Sequence, residues 1–191
     1  MSPARGRMGD MPPHSTSISQ TTLHYTTTPT PIGTALAVTS DTGLVALRFA
    51  EGSPESMLAQ IMAWRREPAA RDDEALAPVV AELGQYFAGE RRRFDIDLDL
   101  AGLAPFTRAA LEAIRDIPYG ETAGYGEIAI AAGAPRAARA VGTACANTPI
   151  SVVIPVHRVV RADGSLGEYG GRPEIKRALL ALEGGIEGVL P

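Results

Sequence analysis

The chain has 191 residues, 45% of them hydrophobic, which is enough for one large domain or two small ones around a real core. Its formal net charge is −4 and its isoelectric point about 5.4, so bulk electrostatics point to neither nucleic acid nor membrane, and either role would need a local face. The single cysteine, Cys145, excludes an intramolecular disulfide, argues against a cysteine-based metal site and fits a reducing cytoplasm. No apolar run approaches the roughly 18 residues of a membrane helix.

The first twenty residues, rich in Ser, Pro and Gly and containing His14, lack the apolar stretch of a secretory signal and read as a disordered lead. "TLHYTTTPTPIGTALAVTSDTGLVALRFAEG" is rich in Thr, Val and Leu, with turn signals at "PTPIG" and "SDTG", and predicts two or three antiparallel strands. His24 lies at a strand start and carries no signal. "PESMLAQIMAWRREP" spaces Met57, Leu58, Ile61 and Trp64 as a helix does, with Ser53 as cap and Pro54 at the first position. "DEALAPVVAELGQYFAGE" predicts a second helix. In "RFDIDLDLAGL", Phe94, Ile96 and Leu98 alternate with Asp95, Asp97 and Asp99, the period of a half-buried strand.

From Ala104 the pattern turns helical. "APFTRAALEAIRDIP" places Phe106, Ala109, Ala110, Ala113 and Ile117 on one face. "TAGYGEIAIAAGAPRAARAVGTACA" then gives two short helices around the breaker "GAP", the spacing of a helix-turn-helix. Such hairpins are also common in structural cores. The alanines of the second helix allow either close approach to a groove or tight packing, and Arg136 and Arg139 are the candidate DNA contacts. Basic and acidic residues balance from 104 onward, so a broad counterion-release surface is excluded there. Binding would rest on a few placed arginines. No His, Cys and Asp cluster has metal-ligand spacing, and no cofactor is implied.

The order of "PYGET", "YGEIA", "ARAVG", "IPVHRVV", "GSLGEYGG" and "ALLALEG" resembles the O6-alkylguanine-DNA alkyltransferases, whose signature Ile-Pro-Cys-His-Arg-Val is matched at residues 154–159 with one change. The resemblance implies an α/β (α+β) chain. Residues 21–103 would form a small antiparallel sheet with helices, ribonuclease-H-like. Residues 104–187 would form a helical winged helix-turn-helix DNA-binding domain, and 188–191 a tail. It further implies a monomer that docks on the minor groove of double-stranded DNA and extrudes O6-alkylguanine into a pocket. Arg139 matches the arginine that enters the base stack, and Tyr125 the tyrosine that turns the phosphate. Pro155, Val156, Tyr169 and Gly170 match the pocket. His157 and Glu183 match the pair that deprotonates the family's cysteine through water.

Val156 stands where that cysteine stands. Thiolate is the nucleophile in such transfers, and valine has no lone pair to offer. Thr148, with Asn147 one step earlier, stands where the family places an asparagine that ties the helix pair to the active-site turn. Arg158 reads as structural, bonded to backbone carbonyls or a buried carboxylate. The resemblance therefore implies a cytoplasmic, nucleoid-associated protein of the cysteine-less, alkyltransferase-like kind. Such a protein binds the lesion as a sensor and hands it to nucleotide excision repair proteins. Three other readings stay open: an active methyltransferase using Cys145, a helix-turn-helix transcription regulator, and a hydrolase in which His157 and Glu183 activate water.

Overall fold

The computed structural model describes residues 22–49, 52–167 and 169–184. The expected lead, with His14, and the expected tail lie outside these residues. Three strands form where Thr- and Val-rich runs meet turn signals: β1 (Leu23–Thr30), β2 (Gly33–Ser40) and β3 (Gly43–Phe49), each antiparallel to the next. Along β2, Leu36 and Val38 face helix α1 (Pro54–Arg65), while Ala35 and Ala37 face the main core, as the two-residue period of a strand requires. A short strand not legible in the sequence, β4 (Ala69–Arg71), adds parallel to β1, giving the order β3-β2-β1-β4.

Helix α1 starts after Ser53 with Pro54 at its first position, but the Ser53 hydroxyl bonds Glu55 rather than capping the backbone. Of its expected apolar face only Ile61 is fully buried, and Trp64 is 40% exposed. Helix α2 (Ala77–Phe87) follows, burying Val79, Leu83 and Tyr86.

The stretch 94–99 corrects the expected strand. It runs beside β3 with a single bridge, Leu98 to Leu44, flanked by Leu44 N–H to Asp97 O at 2.8 Å and Asp99 N–H to Leu44 O at 2.9 Å. Gly43 permits this approach, because a Cβ there would sit 2.5 Å from the Asp97 carbonyl oxygen. The alternation also breaks at Asp99, which is buried. It accepts from Arg65 at 2.7 Å, Ser40 at 2.7 Å and the Ala101 N–H at 2.9 Å. Burial opposes its ionisation, yet these donors hold the carboxyl well below the usual carboxylate range.

The helical part comprises α3 (Pro105–Arg115), α4 (Tyr125–Ala131), α5 (Ala138–Ala146) and α6 (Pro173–Leu182). The buried face of α3 is Ala110, Leu111 and Ile114, continued by Ile117, with Phe106, Ala109 and Ala113 flanking it. The expected face was turned toward the alanines, whereas the larger Leu111 and Ile114 bury more apolar area and set the rotation. Two residues just before α4, β5 (Ala123–Gly124), pair in parallel with β6 (Val159–Val160).

One core joins the sheet to the helices, with Leu44 and Leu47 of β3, Leu83 and Tyr86 of α2, Leu111 and Ile114 of α3, and Ile150 and Ile154 in a single cluster. Removing a side chain such as Leu47 down to Ala would cost about 2–5 kcal/mol. Among the described residues no helix is long and apolar enough to cross a membrane.

Candidate functional site

The segment after α5 is pinned before it reaches the site. Leu47 N–H donates to Pro149 O at 2.9 Å, and Ser151 N–H donates to Leu47 O at 2.9 Å, so β3 holds residues 149–151 in register. Val152 then adopts φ 72, a left-handed conformation that a β-branched residue rarely takes. The chain reverses, and a single 3₁₀ turn, Val156–Arg158, follows Pro155 and leads straight into β6. The β5–β6 ladder carries Tyr125, at the start of α4, to the same place.

Val156 is 4% exposed, and what it shows faces an open cleft of about 860 Å³. Tyr125, Arg139, Cys145, Thr148, Tyr169 and Gly170 line the same cleft. Pro155 does not; it is buried behind the turn, where its ring fixes φ at −81. Arg136 is exposed in the turn before α5, outside the cleft. Gly170 has φ 59 and nothing within 4 Å of an added Cβ, so the wall beside Tyr169 is open. Burial pushes the Tyr169 phenol up to about 12, with Ser151 opposing slightly.

Beneath the turn lies a buried polar cluster. His157, with no exposed surface, directs Nε2 at Glu183 Oε1, 2.9 Å away. Because that oxygen belongs to a carboxylate, Nε2 carries the proton and Nδ1 holds the lone pair. Nδ1 is buried and has no partner among the described residues. Arg158 grips Glu183 through Nε at 2.8 Å and Nη2 at 2.9 Å, and its Nη1 donates to Ile117 O at 2.5 Å. It is thus structural, as its position in the motif suggested. The Tyr86 hydroxyl adds 2.7 Å to Glu183 Oε1, and the Gly120 N–H adds 3.3 Å to Oε2. Gly120 must be glycine, since a Cβ there would lie 2.9 Å from the Glu183 carbonyl oxygen.

Electrostatics follow from this packing. Burial resists a charge on Glu183, but donors from His157 and Arg158 hold its carboxyl far below the usual range. Burial lowers the His157 pKa, so the ring is neutral at physiological pH. The Tyr86 phenol is pushed far upward by burial and by the neighbouring carboxylate. The site is a neutral imidazole, oriented by a fixed anion, with one free basic nitrogen. It has nothing acidic at 156 to act on.

The expected tie at Asn147 and Thr148 is corrected. Asn147 Nδ2 turns back to Thr143 O at 3.0 Å, at the end of its own helix, and the buried Thr148 Oγ1 has no partner among the described residues. The backbone bonds of β3 hold the segment instead. Cys145 lines the cleft from α5, and burial pushes its thiol up to about 11.

Sequence reasoning did not single out Tyr86 or Lys176. Lys176 is wholly buried on α6, donates to Val159 O at 2.5 Å, and is brought down to about 8 by burial. A buried lysine inside an apolar helical face was visible as a mismatch in "EIKRALLAL". Tyr86, 97 residues from Glu183, left no such sign.

A sheet-and-helix half joined to a helical half, which presents a short turn above a buried His–Glu–Arg cluster, defines an alkyltransferase-type fold. Known proteins agree. The family model described as 6-O-methylguanine DNA methyltransferase, DNA binding domain, matches residues 105–185, and that of the ribonuclease-like domain matches 23–100. The methylated-DNA–protein-cysteine methyltransferase of Mycolicibacterium paratuberculosis is 45% identical over 161 residues, 84% of this chain and 92% of that one. Its counterpart in Methanosarcina acetivorans is 36% identical over 162 residues, 85% of this chain and 99% of that one. The crystal structure of Mycobacterium tuberculosis OGT in complex with DNA aligns with a TM-score of 0.72 at 42% identity, covering 84% of this chain and 92% of that one. The chain belongs to the O6-methylguanine-DNA methyltransferase family.

Proposed function

We propose that this protein binds O6-alkylguanine in duplex DNA, receives the extruded base in the cleft at Val156, and transfers nothing. The observation that carries this reading is Val156 itself: a buried aliphatic side chain on the cleft wall, directly before a His157–Glu183 pair that is otherwise assembled. Relatives are named for transfer to a protein cysteine. The one cysteine here sits on α5, not on the 3₁₀ turn.

The steps are physical rather than covalent. Alkylation at O6 weakens pairing, which lowers the unstacking and unpairing cost of extrusion. Arg139, on the cleft rim, fills the vacated slot, where a guanidinium can stack and bond the orphaned partner base. Tyr125 crowds the backbone of the turned nucleotide. The alkyl group packs on the Val156 methyls, at about 25 cal/mol per Å² buried, and larger groups extend past Gly170. A bound but uncorrected lesion still has to be removed downstream, and the partners proposed for that step are nucleotide excision repair proteins.

Transfer to Cys145 is disfavoured by its raised pKa. Burial keeps the thiol largely protonated at neutral pH, the neighbouring Lys176 opposes that only in part, and no described hydrogen bond joins the thiol to a base. Incubation with duplex carrying a radiolabelled O6-methyl group tests the reading. It expects no label on the protein; one methyl per chain, at Cys145 or elsewhere, would overturn it.

A further inference from the structure

We infer that the N-terminal sheet is part of the DNA interface, with Arg48 holding backbone phosphate of the strand whose base enters the cleft. This rests on the DNA-binding reading above and extends the interface beyond the helix pair. Its origin is the seam between β3 and the site. Leu47 exchanges both backbone hydrogen bonds with residues 149 and 151, at 2.9 Å each. The next two residues, Arg48 and Phe49, are thereby carried onto the wall of the same cleft that α5 lines.

The charged residues on that wall are Arg48, Arg139, Arg161 and Arg172, and no carboxylate lines it among the described residues. This occurs in a chain whose net charge is −4. Arg172 spends its Nη2 on Ile32 O at 3.3 Å and lies 3.6 Å from Glu174. Arg48 and Arg139 form no ion pair with another described residue, whereas Arg161 is coupled electrostatically to the Asp163 carboxylate. Unneutralised guanidiniums along a concave, low-dielectric wall focus positive potential and attract a polyanion. Ser56 and Gln60, on the same wall, are neutral groups of the kind that bond phosphate oxygens. The helical half is charge-balanced, so guanidinium from the sheet adds attraction that the half itself does not supply. A guanidinium also meets phosphate with two parallel hydrogen bonds, which fixes position as well as charge.

The test is a set of titrations of the full chain with a fluorescent duplex, with and without one O6-methylguanine, across about 50–200 mM salt. Removal of one phosphate contact should reduce the slope of log K against log salt by about 0.7–0.9. Arg48→Ala is expected to show that reduction and a several-fold weakening on both duplexes, leaving the ratio between them unchanged. Arg48→Lys should keep the slope, which also guards against a folding defect in the alanine variant. Arg93→Ala, an exposed arginine of the same half outside the cleft, should change neither quantity. An unchanged slope for Arg48→Ala would overturn the inference. If the wild type ignores the lesion but Arg48→Ala still loses slope, the inference holds and the lesion reading falls. If the wild type binds neither duplex, both fall.

Discussion

The Tyr86 hydroxyl donates at 2.7 Å to the same Glu183 oxygen that His157 Nε2 reaches at 2.9 Å. A helix of the N-terminal half therefore completes the anion that orients the imidazole. Tyr86→Phe removes one donor to a buried carboxylate and should lower unfolding free energy by about 1–3 kcal/mol, read from urea denaturation. Glu183→Gln should cost more, about 3–5 kcal/mol, because it leaves the Arg158 charge buried without its partner. Equal, negligible effects would show that the cluster does not hold the two halves together.

Stability should fall with acid in two stages. His157 has a depressed pKa in the folded state, so below about pH 6.5 the unfolded chain binds a proton that the native chain does not. Glu183 is likewise depressed; its contribution is present above about pH 4.3 and is lost as pH falls further. Melting temperature measured from about pH 8 to about pH 2 should decline through both windows. His157→Gln, which can still donate to Glu183, should flatten the upper window alone. A profile unchanged by that substitution would reject the neutral, buried imidazole.

Val156→Cys should give the protein a methyl acceptor. The free, buried Nδ1 of His157 supplies a base, directly or through water. Peptide mapping after incubation with methylated duplex should find up to one methyl per chain, at position 156. Adding Thr148→Asn should raise the rate, because Thr148 Oγ1 is buried without a partner among the described residues and an amide there can tie the turn to its surroundings. Absence of transfer in both variants would mean that more than the nucleophile is missing.

Arg139→Ala should weaken binding to the lesion duplex by tenfold or more, since each factor of ten corresponds to about 1.4 kcal/mol and filling the vacated slot offsets a few kcal/mol of unstacking. Arg136, exposed outside the cleft, should weaken binding less when changed to Ala, and equally on damaged and undamaged duplex. Equal losses from the two substitutions, in competition titrations, would reject the assignment of Arg139 to the stack.

Much of the fold was legible because local signals agreed. Turn chemistry at "PTPIG" and "SDTG" set β1 to β3, and Pro54 and Pro105 began helices α1 and α3. The site motif was contiguous, so Val156, His157 and Arg158 could be read together, and Glu183 followed from the resemblance. What stayed hidden depends on contacts distant in sequence. β4 is three residues long and exists only because β1 offers an edge. Asp99 breaks the alternation because Arg65 and Ser40, far away in sequence, satisfy it. Arg48 looked like an ordinary strand residue until the bonds from Leu47 to 149 and 151 set it beside the cleft.

The most direct measurement compares equilibrium binding of the unmodified chain to two duplexes that differ by a single O6-methyl group on one guanine. Weakened pairing alone should favour the lesion by roughly 1–2 kcal/mol, so affinity should be at least several-fold higher for the damaged duplex, with the methyl group still on the DNA when it is recovered. Equal affinity for the two duplexes would contradict lesion recognition and favour a regulator that uses the helix pair on undamaged DNA.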